Sequence, residues 1–196
     1  MTDQPLIIGI QGGPGSFNEE AAHYYLEQQS ITNYQIKYLY TTENVLSALD
    51  NNQITRGQFA IYNNLGKTVT ESTSAMNQFQ FKVVAGFSIL VNQTLMIHSQ
   101  TDITQINTVM AHPQALAQCQ NYLKQYYPTI KLISGEGELI DHALVAEKIS
   151  NGELPKTTGV IGSQSLAKLY DLQVIAEAIQ DQKNNWTSFL QVEKIN

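Results

Sequence analysis

Cysteine occurs once in the 196 residues, at Cys119, and arginine once, at Arg56. A single thiol excludes an intrachain disulfide and suits a reducing compartment, so a cytoplasmic location is expected. Ten of the eleven basic residues are therefore lysines. Arginine's planar fork grips carboxylates better than an ammonium does, so a dicarboxylate site here must manage with Arg56, lysines, hydroxyls or backbone donors. Charged side chains make up only 14%, against about 25% in an average globular chain. The net charge of −6 comes without a basic stripe, which argues against a nucleic-acid partner. No run approaches the ~20 apolar residues of a membrane-spanning helix. The opening MTDQPLIIGIQGG has neither a basic start nor a long apolar core, so no secretory signal is expected.

Hydrophobic residues reach 42%, enough for one large domain or two interlocked lobes. Short apolar runs alternate with amphipathic stretches, the rhythm of an α/β protein. Strands are predicted at 6–10, 34–40, 59–62, 108–110, 130–133, 159–161, 174–176 and 187–192. Helices are predicted from Ser16 (Glu19 as its capping-box partner) and over 42–49, 113–126, 139–149 and 163–170. The long β-type stretch 82–98 reads as a crossover between lobes. The expected division is lobe 1 at about 1–90 plus 177–196 and lobe 2 at about 91–176, with a cleft between them.

Three segments carry candidate chemistry. IIGIQGGPGSF joins a strand to a helix through a glycine turn, whose bare N–H groups suit an anion, although by spacing alone a tight turn is the favoured reading. It is neither a dinucleotide fingerprint nor a P-loop, since G-x-G-x-x-G and G-K-[ST] are both absent. AHPQALAQC places His112 before Pro113 at a strand-to-helix junction, where α/β sheets bind ligands. Read by itself, His112 is a helix-start structural residue rather than a catalytic base, and Cys119 reads as buried and inert. KNNWTSFLQV brings Thr187 and Ser188 to the start of a strand, where a hydroxyl can donate a proton or merely satisfy β propensity.

Taken together, IQGGPGSFNEEAA, AIYNNLGKTV, AHPQALAQC and VIGSQSLAKLYDLQVIAEAIQDQKNNWTSF resemble the catalytic domain of the prephenate dehydratase family from end to end. The resemblance implies two α/β lobes of the periplasmic-binding-protein type II kind with a central cleft. It implies the cytoplasmic conversion of prephenate to phenylpyruvate, with loss of water and carbon dioxide, in phenylalanine biosynthesis. It also implies no metal, no organic cofactor and a homo-oligomer, dimer or tetramer. The expected catalytic residues are Thr187, Asn63, Gln118 and Glu136. The expected substrate-binding residues are Gly15, Ser16, Phe17, Asn64, Lys67, His112, Ser188 and Phe189.

The chain departs from the family pattern at several of these positions. The family's closing Thr-Arg-Phe is Thr187-Ser188-Phe189, so a carboxylate-pairing guanidinium is missing, a loss of about 2–5 kcal/mol. The family's Pro-Ile-Glu-Asn-Ser is Ala60-Ile61-Tyr62-Asn63-Asn64. Lys67 stands where the family has glycine and is a candidate replacement charge. The Ser before His-Pro-Gln is Ala111, and Glu-Ser-Thr-Ser becomes Glu136-Gly137-Glu138-Leu139. The chain is also expected to lack the phenylalanine-sensing ACT domain and the chorismate mutase domain. A prephenate decarboxylase without aromatisation, or a binding protein without catalysis, are the competing readings.

Overall fold

The computed structural model describes residues 4–136, 139 and 141–195. In chain order the elements are β1 (Leu6–Ile10), α1 (Phe17–Gln28), β2 (Tyr34–Tyr38), α2 (Thr42–Asp50), β3 (Arg56–Asn63), β4 (Lys67–Thr68), α3 (Thr70–Met76) and β5 (Lys82–Leu90). There follow β6 (Thr94–His98), β7 (Thr108–Ala111), α4 (Pro113–Gln118), α5 (Gln120–Tyr126), β8 (Lys131–Ser134) and α6 (His142–Ser150). The chain closes with β9 (Thr158–Gly162), α7 (Ser165–Leu169), β10 (Leu172–Ala176) and β11 (Trp186–Glu193).

These elements form two α/β units. The first comprises residues 1–13, 17–90 and 186–196 around a sheet ordered β2-β1-β3-β11-β5, with β4 on β3. Its βαβ half is parallel, and β11 enters antiparallel between β3 and β5. The apolar stripe of α1, with Ala22 and Leu26, packs on Ile8 and Ile10. Val45, Leu46 and Leu49 of α2 and Ala75 of α3 pack on Phe59 and Val192. Helices on the faces of a mixed sheet are the layering that such alternating sequences build.

The second unit comprises residues 14–16 and 91–185, with sheet order β10-β6-β9-β7-β8. Ala115 of α4, Cys119 at the junction and Leu123 of α5 pack with Leu95, Val109 and Ile161. Ala143, Val145, Ala146 and Ile149 of α6 pack with Met96, Val160 and Leu166.

Three expectations are corrected. The predicted helix 113–126 is two helices that break at Cys119. Asp181 explains the break: its carboxylate accepts from Asn121 N and Tyr122 N at 3.0 Å each, and its own N–H donates to Gln118 O at 2.7 Å. The side chain caps the second helix by taking its otherwise unsatisfied donors. The return to the first unit falls at Trp186 rather than at 177. Residues 177–185 stay with the second unit because Ile179 N donates to Gln93 O at 2.9 Å and Gln93 N to Gln180 Oε1 at 2.9 Å. Gly15 and Ser16, expected in the first lobe, also group with the second unit. A Cβ on Gly15 would lie 2.5 Å from Leu166 Cδ2, and its φ of +77° is left-handed, so only glycine fits without strain. The predicted helix start at Leu139 falls beside Ile140, which lies outside the described residues; the helix itself runs from His142.

Candidate active site

In the first unit the end of β3 meets the start of β11. Thr187 pairs with Asn63 and Ser188 with Tyr62, then the register shifts by a bulge before Phe189 pairs with Ala60. Bulges re-aim side chains at strand ends, and here the buried Asn63 side chain reaches Thr187. Asn63 Oδ1 accepts from Leu65 N at 3.0 Å and Gly66 N at 2.7 Å. Those two backbone donors fix which end of the amide is oxygen. Asn63 Nδ2 then donates to Thr187 Oγ1 at 2.8 Å. An amide nitrogen is only a donor, so Thr187 must accept from it, and the hydroxyl's own proton is left for another acceptor.

The neighbouring residues serve the same corner in different ways. Asn64 Oδ1 accepts from Trp186 N at 2.8 Å and its N–H donates to Trp186 O at 3.0 Å, so it clamps the strand start that carries Thr187. Lys67 is exposed and holds φ +66°, the conformation glycine adopts freely and a side chain resists. Ser188 Oγ lies 2.9 Å from Ser88 Oγ across β5, and alternation along β11 sends it to the face opposite Thr187. Phe189, expected against substrate, is 1% exposed and stacks on Phe87 at 5.8 Å; its ring belongs to the core. Arg56 pairs with Glu193 at 2.6 Å at the far end of β3, about 23 Å along the strand from Asn63. The sole arginine is thereby removed from this corner.

In the second unit a polar group surrounds Gln118, at the end of α4. Its Oε1 accepts from Gln93 Nε2 at 3.2 Å and from Asn185 Nδ2 at 3.1 Å. Gln93 and Asn185 are buried, whereas Gln118 is half-buried. Neither supporting residue was expected from sequence. His112 caps α4: its Nδ1 accepts from Gln114 N at 3.1 Å. Burial holds its pKa below the ordinary imidazole value, so at neutral pH the ring is neutral and, with Nδ1 accepting, its proton is on Nε2. Burial pushes the Cys119 thiol up to about 12, with Asp181 adding to the effect; it is inert, as expected. Glu136 is exposed, just beyond β8. Gly137 and Glu138, which follow it, lie outside the described residues. Ser16 is buried ahead of α1, and Phe17 is the first residue of that helix. Gln118, Glu136 and His112 therefore belong to one unit and Asn63, Asn64, Lys67, Thr187, Ser188 and Phe189 to the other.

Two α/β units, each with helices on both faces of its sheet and joined by strands that leave one and return from the other, define a fold of the periplasmic-binding-protein type II class. A solved prephenate dehydratase from Arthrobacter aurescens, in complex with L-Phe, shares it with a TM-score of 0.85 at 18% identity, over 97% of this chain and 61% of that one. Within this class the chain belongs to the prephenate dehydratase family, whose model matches residues 8–196. The prephenate dehydratase of Methanocaldococcus jannaschii is 30% identical over 92% of this chain and 62% of its own length. Arogenate dehydratase 2 of Petunia hybrida is 25% identical over 96% of this chain and 45% of its own. The chain thus spans less than two thirds of the length of these relatives. Among the described residues no helix is long and apolar enough to cross a membrane, and no three His, Cys, Asp or Glu side chains are grouped to hold a metal ion.

Proposed function

We propose that this chain carries the catalytic region of a prephenate dehydratase, converting prephenate to phenylpyruvate. The observation that supports it most is the Asn63–Thr187 pair, in which a pinned amide commits the hydroxyl oxygen as acceptor and leaves its proton to donate. Thr187 donates to the departing ring hydroxyl, the ring C–O bond breaks and water leaves. The bond to the ring carboxylate breaks with it, carbon dioxide departs, and the electron pair completes the aromatic ring. Solvent returns the proton to Thr187. General acid assistance of this kind is worth roughly 10²–10⁴-fold. Gln118, Glu136 and His112 Nε2–H are the second unit's share of the reading, with Gly15, Ser16 and Phe17 as the anion-binding turn. Lys67 is the replacement charge. The biosynthetic class of the relatives and the single thiol support a cytoplasmic enzyme, and the family resemblance supports a homo-oligomer, dimer or tetramer.

The test is incubation with prephenate while product is followed by NMR. Aromatic phenylpyruvate from wild type, its near-abolition in Thr187→Val and its retention in Thr187→Ser are expected. Turnover intact in Thr187→Val overturns the role of the hydroxyl. The hydroxyl pair of Ser188 and Ser88, standing where the family has a guanidinium, favours a second reading: decarboxylation without aromatisation. A non-aromatic dihydro product would establish that alternative.

A further inference from the structure

Gln118 carries an amide with two chemically opposite ends, and the fold decides which end is offered. Both hydrogen bonds to its side chain arrive at Oε1, from Gln93 Nε2 at 3.2 Å and Asn185 Nδ2 at 3.1 Å. No hydrogen bond among the described residues uses its Nε2, and the residue is half-buried, within reach of a ligand. Gln93 and Asn185 are in turn held by the segment that closes the second unit. Gln93 N donates to Gln180 Oε1 at 2.9 Å, Gln180 Nε2 donates to Asn92 Oδ1 at 3.0 Å, and Val91 N donates to Asn185 O at 2.7 Å.

The arrangement leaves one atom in deficit. Gln93 Oε1 is buried and has no hydrogen-bond partner among the described residues. Turning the Gln93 amide over would set its oxygen against Gln118 Oε1, two acceptors face to face, so the orphan persists as the consequence of donating to Gln118. Buried polar atoms are almost always paired, and an uncompensated one points to a demand other than stability.

We propose that Gln93 and Asn185 are positioning residues that lock the Gln118 amide with its N–H groups outward, as a neutral two-proton donor for a carboxylate oxygen of the substrate. The inference rests on the dehydratase reading above and extends it to residues outside the family's altered motifs. It also identifies a donor that does not depend on a guanidinium.

Three variants test it: Asn185→Asp, Gln93→Met and Gln118→Met. Asn185→Asp keeps the shape but accepts instead of donating, so the Gln118 amide turns to face the new carboxylate. It should raise KM for prephenate about tenfold, the worth of one hydrogen bond to an anion, with a smaller change in kcat. Gln93→Met conserves volume and deletes the orphan oxygen, so KM should rise severalfold while the melting temperature holds or increases. Neither change should add to the effect of Gln118→Met. A parallel fall in melting temperature and kcat/KM, or full additivity with Gln118→Met, overturns the proposal. Proton exchange of the Gln118 side-chain amide, followed by NMR and assigned through Gln118→Met, gives a readout independent of turnover. It should be fast in wild type and slowed in Asn185→Asp; equal rates overturn the proposal. If wild type fails to consume prephenate, the functional reading falls, and the amide orientation is decided by exchange alone.

Discussion

The two units orient their polar side chains by different means. In the first, Asn63 is pinned by two backbone N–H groups from the turn that follows it, and its donor reaches Thr187. In the second, Gln118 is pinned by two side-chain amides drawn from residues 93 and 185, and one oxygen is stranded in consequence. The first device is local and uses main-chain groups that any sequence supplies. The second depends on residues far apart in the chain and leaves a buried acceptor unpaired, a cost of about 1–3 kcal/mol. Orientation by backbone is robust to substitution of neighbours; orientation by side chains fails with a single change.

That contrast is tested first at Asn63. Asn63→Asp keeps the one oxygen that accepts from Leu65 N and Gly66 N but cannot donate, so Thr187 turns its proton toward the new carboxylate. Formation of phenylpyruvate should fall about 100-fold or more, with little change in melting temperature. An equal loss from Asn63→Ala, accompanied by unfolding, would show that the amide is structural only.

The next largest effect is expected in the second unit. Gly15→Ala places a methyl 2.5 Å from Leu166 Cδ2 at a φ of +77°. Left-handed strain and overpacking together cost about 2–4 kcal/mol, or roughly 5–15 °C in a chain of this length. A melting temperature within a degree of wild type would remove the close approach as a constraint.

Acid sensitivity should come mainly from the second unit as well. Burial holds His142 below its ordinary value against the raising effect of Asp141, with His112 acting in the lowering direction. Burial likewise lowers His98 and His112. The unfolded chain therefore binds more protons than the folded one once pH drops below about 6.5. Stability contributed by the neutral imidazoles is complete above that pH and is lost progressively as pH falls. The melting temperature should drop several degrees between pH 7 and pH 5, and His142→Asn should flatten the slope. An unchanged slope would assign the acid response elsewhere.

The smallest effect sharpens the first unit. Lys67→Gly relieves the φ of +66° and should raise stability by up to about 1 kcal/mol. If Lys67 supplies the replacement charge, the same variant raises KM for prephenate. A stabilised protein with unchanged KM would leave Lys67 as a strained turn residue alone.

Much of the architecture was legible in local pattern. The apolar run 6–10, the glycine turn and the stretch 187–192 each announced their element within a dozen residues. Helix α3 was missed because Thr70–Met76 is rich in Ser and Thr, which favour caps and turns over helix interiors. The break at Cys119 was missed because its cause is Asp181, sixty positions from the helix donors it takes. The same distance hid Gln93 and Asn185: hydrogen bonds between remote amides leave no periodicity behind. Phe189 was misread because an aromatic after a candidate Thr looks the same whether it faces ligand or core. Thr187, Asn63 and Gln118 became candidates through the family resemblance, whereas what each is bonded to became visible only in three dimensions.

Cys119 has a practical consequence. A thiol whose proton is held to about pH 12, and which solvent does not reach, offers almost no thiolate to electrophiles or peroxide. The wild-type sequence is in effect a cysteine-free background. One cysteine placed on each unit would give two chemically addressable points for a fluorophore pair or a spin-label pair, with no native residue to remove first.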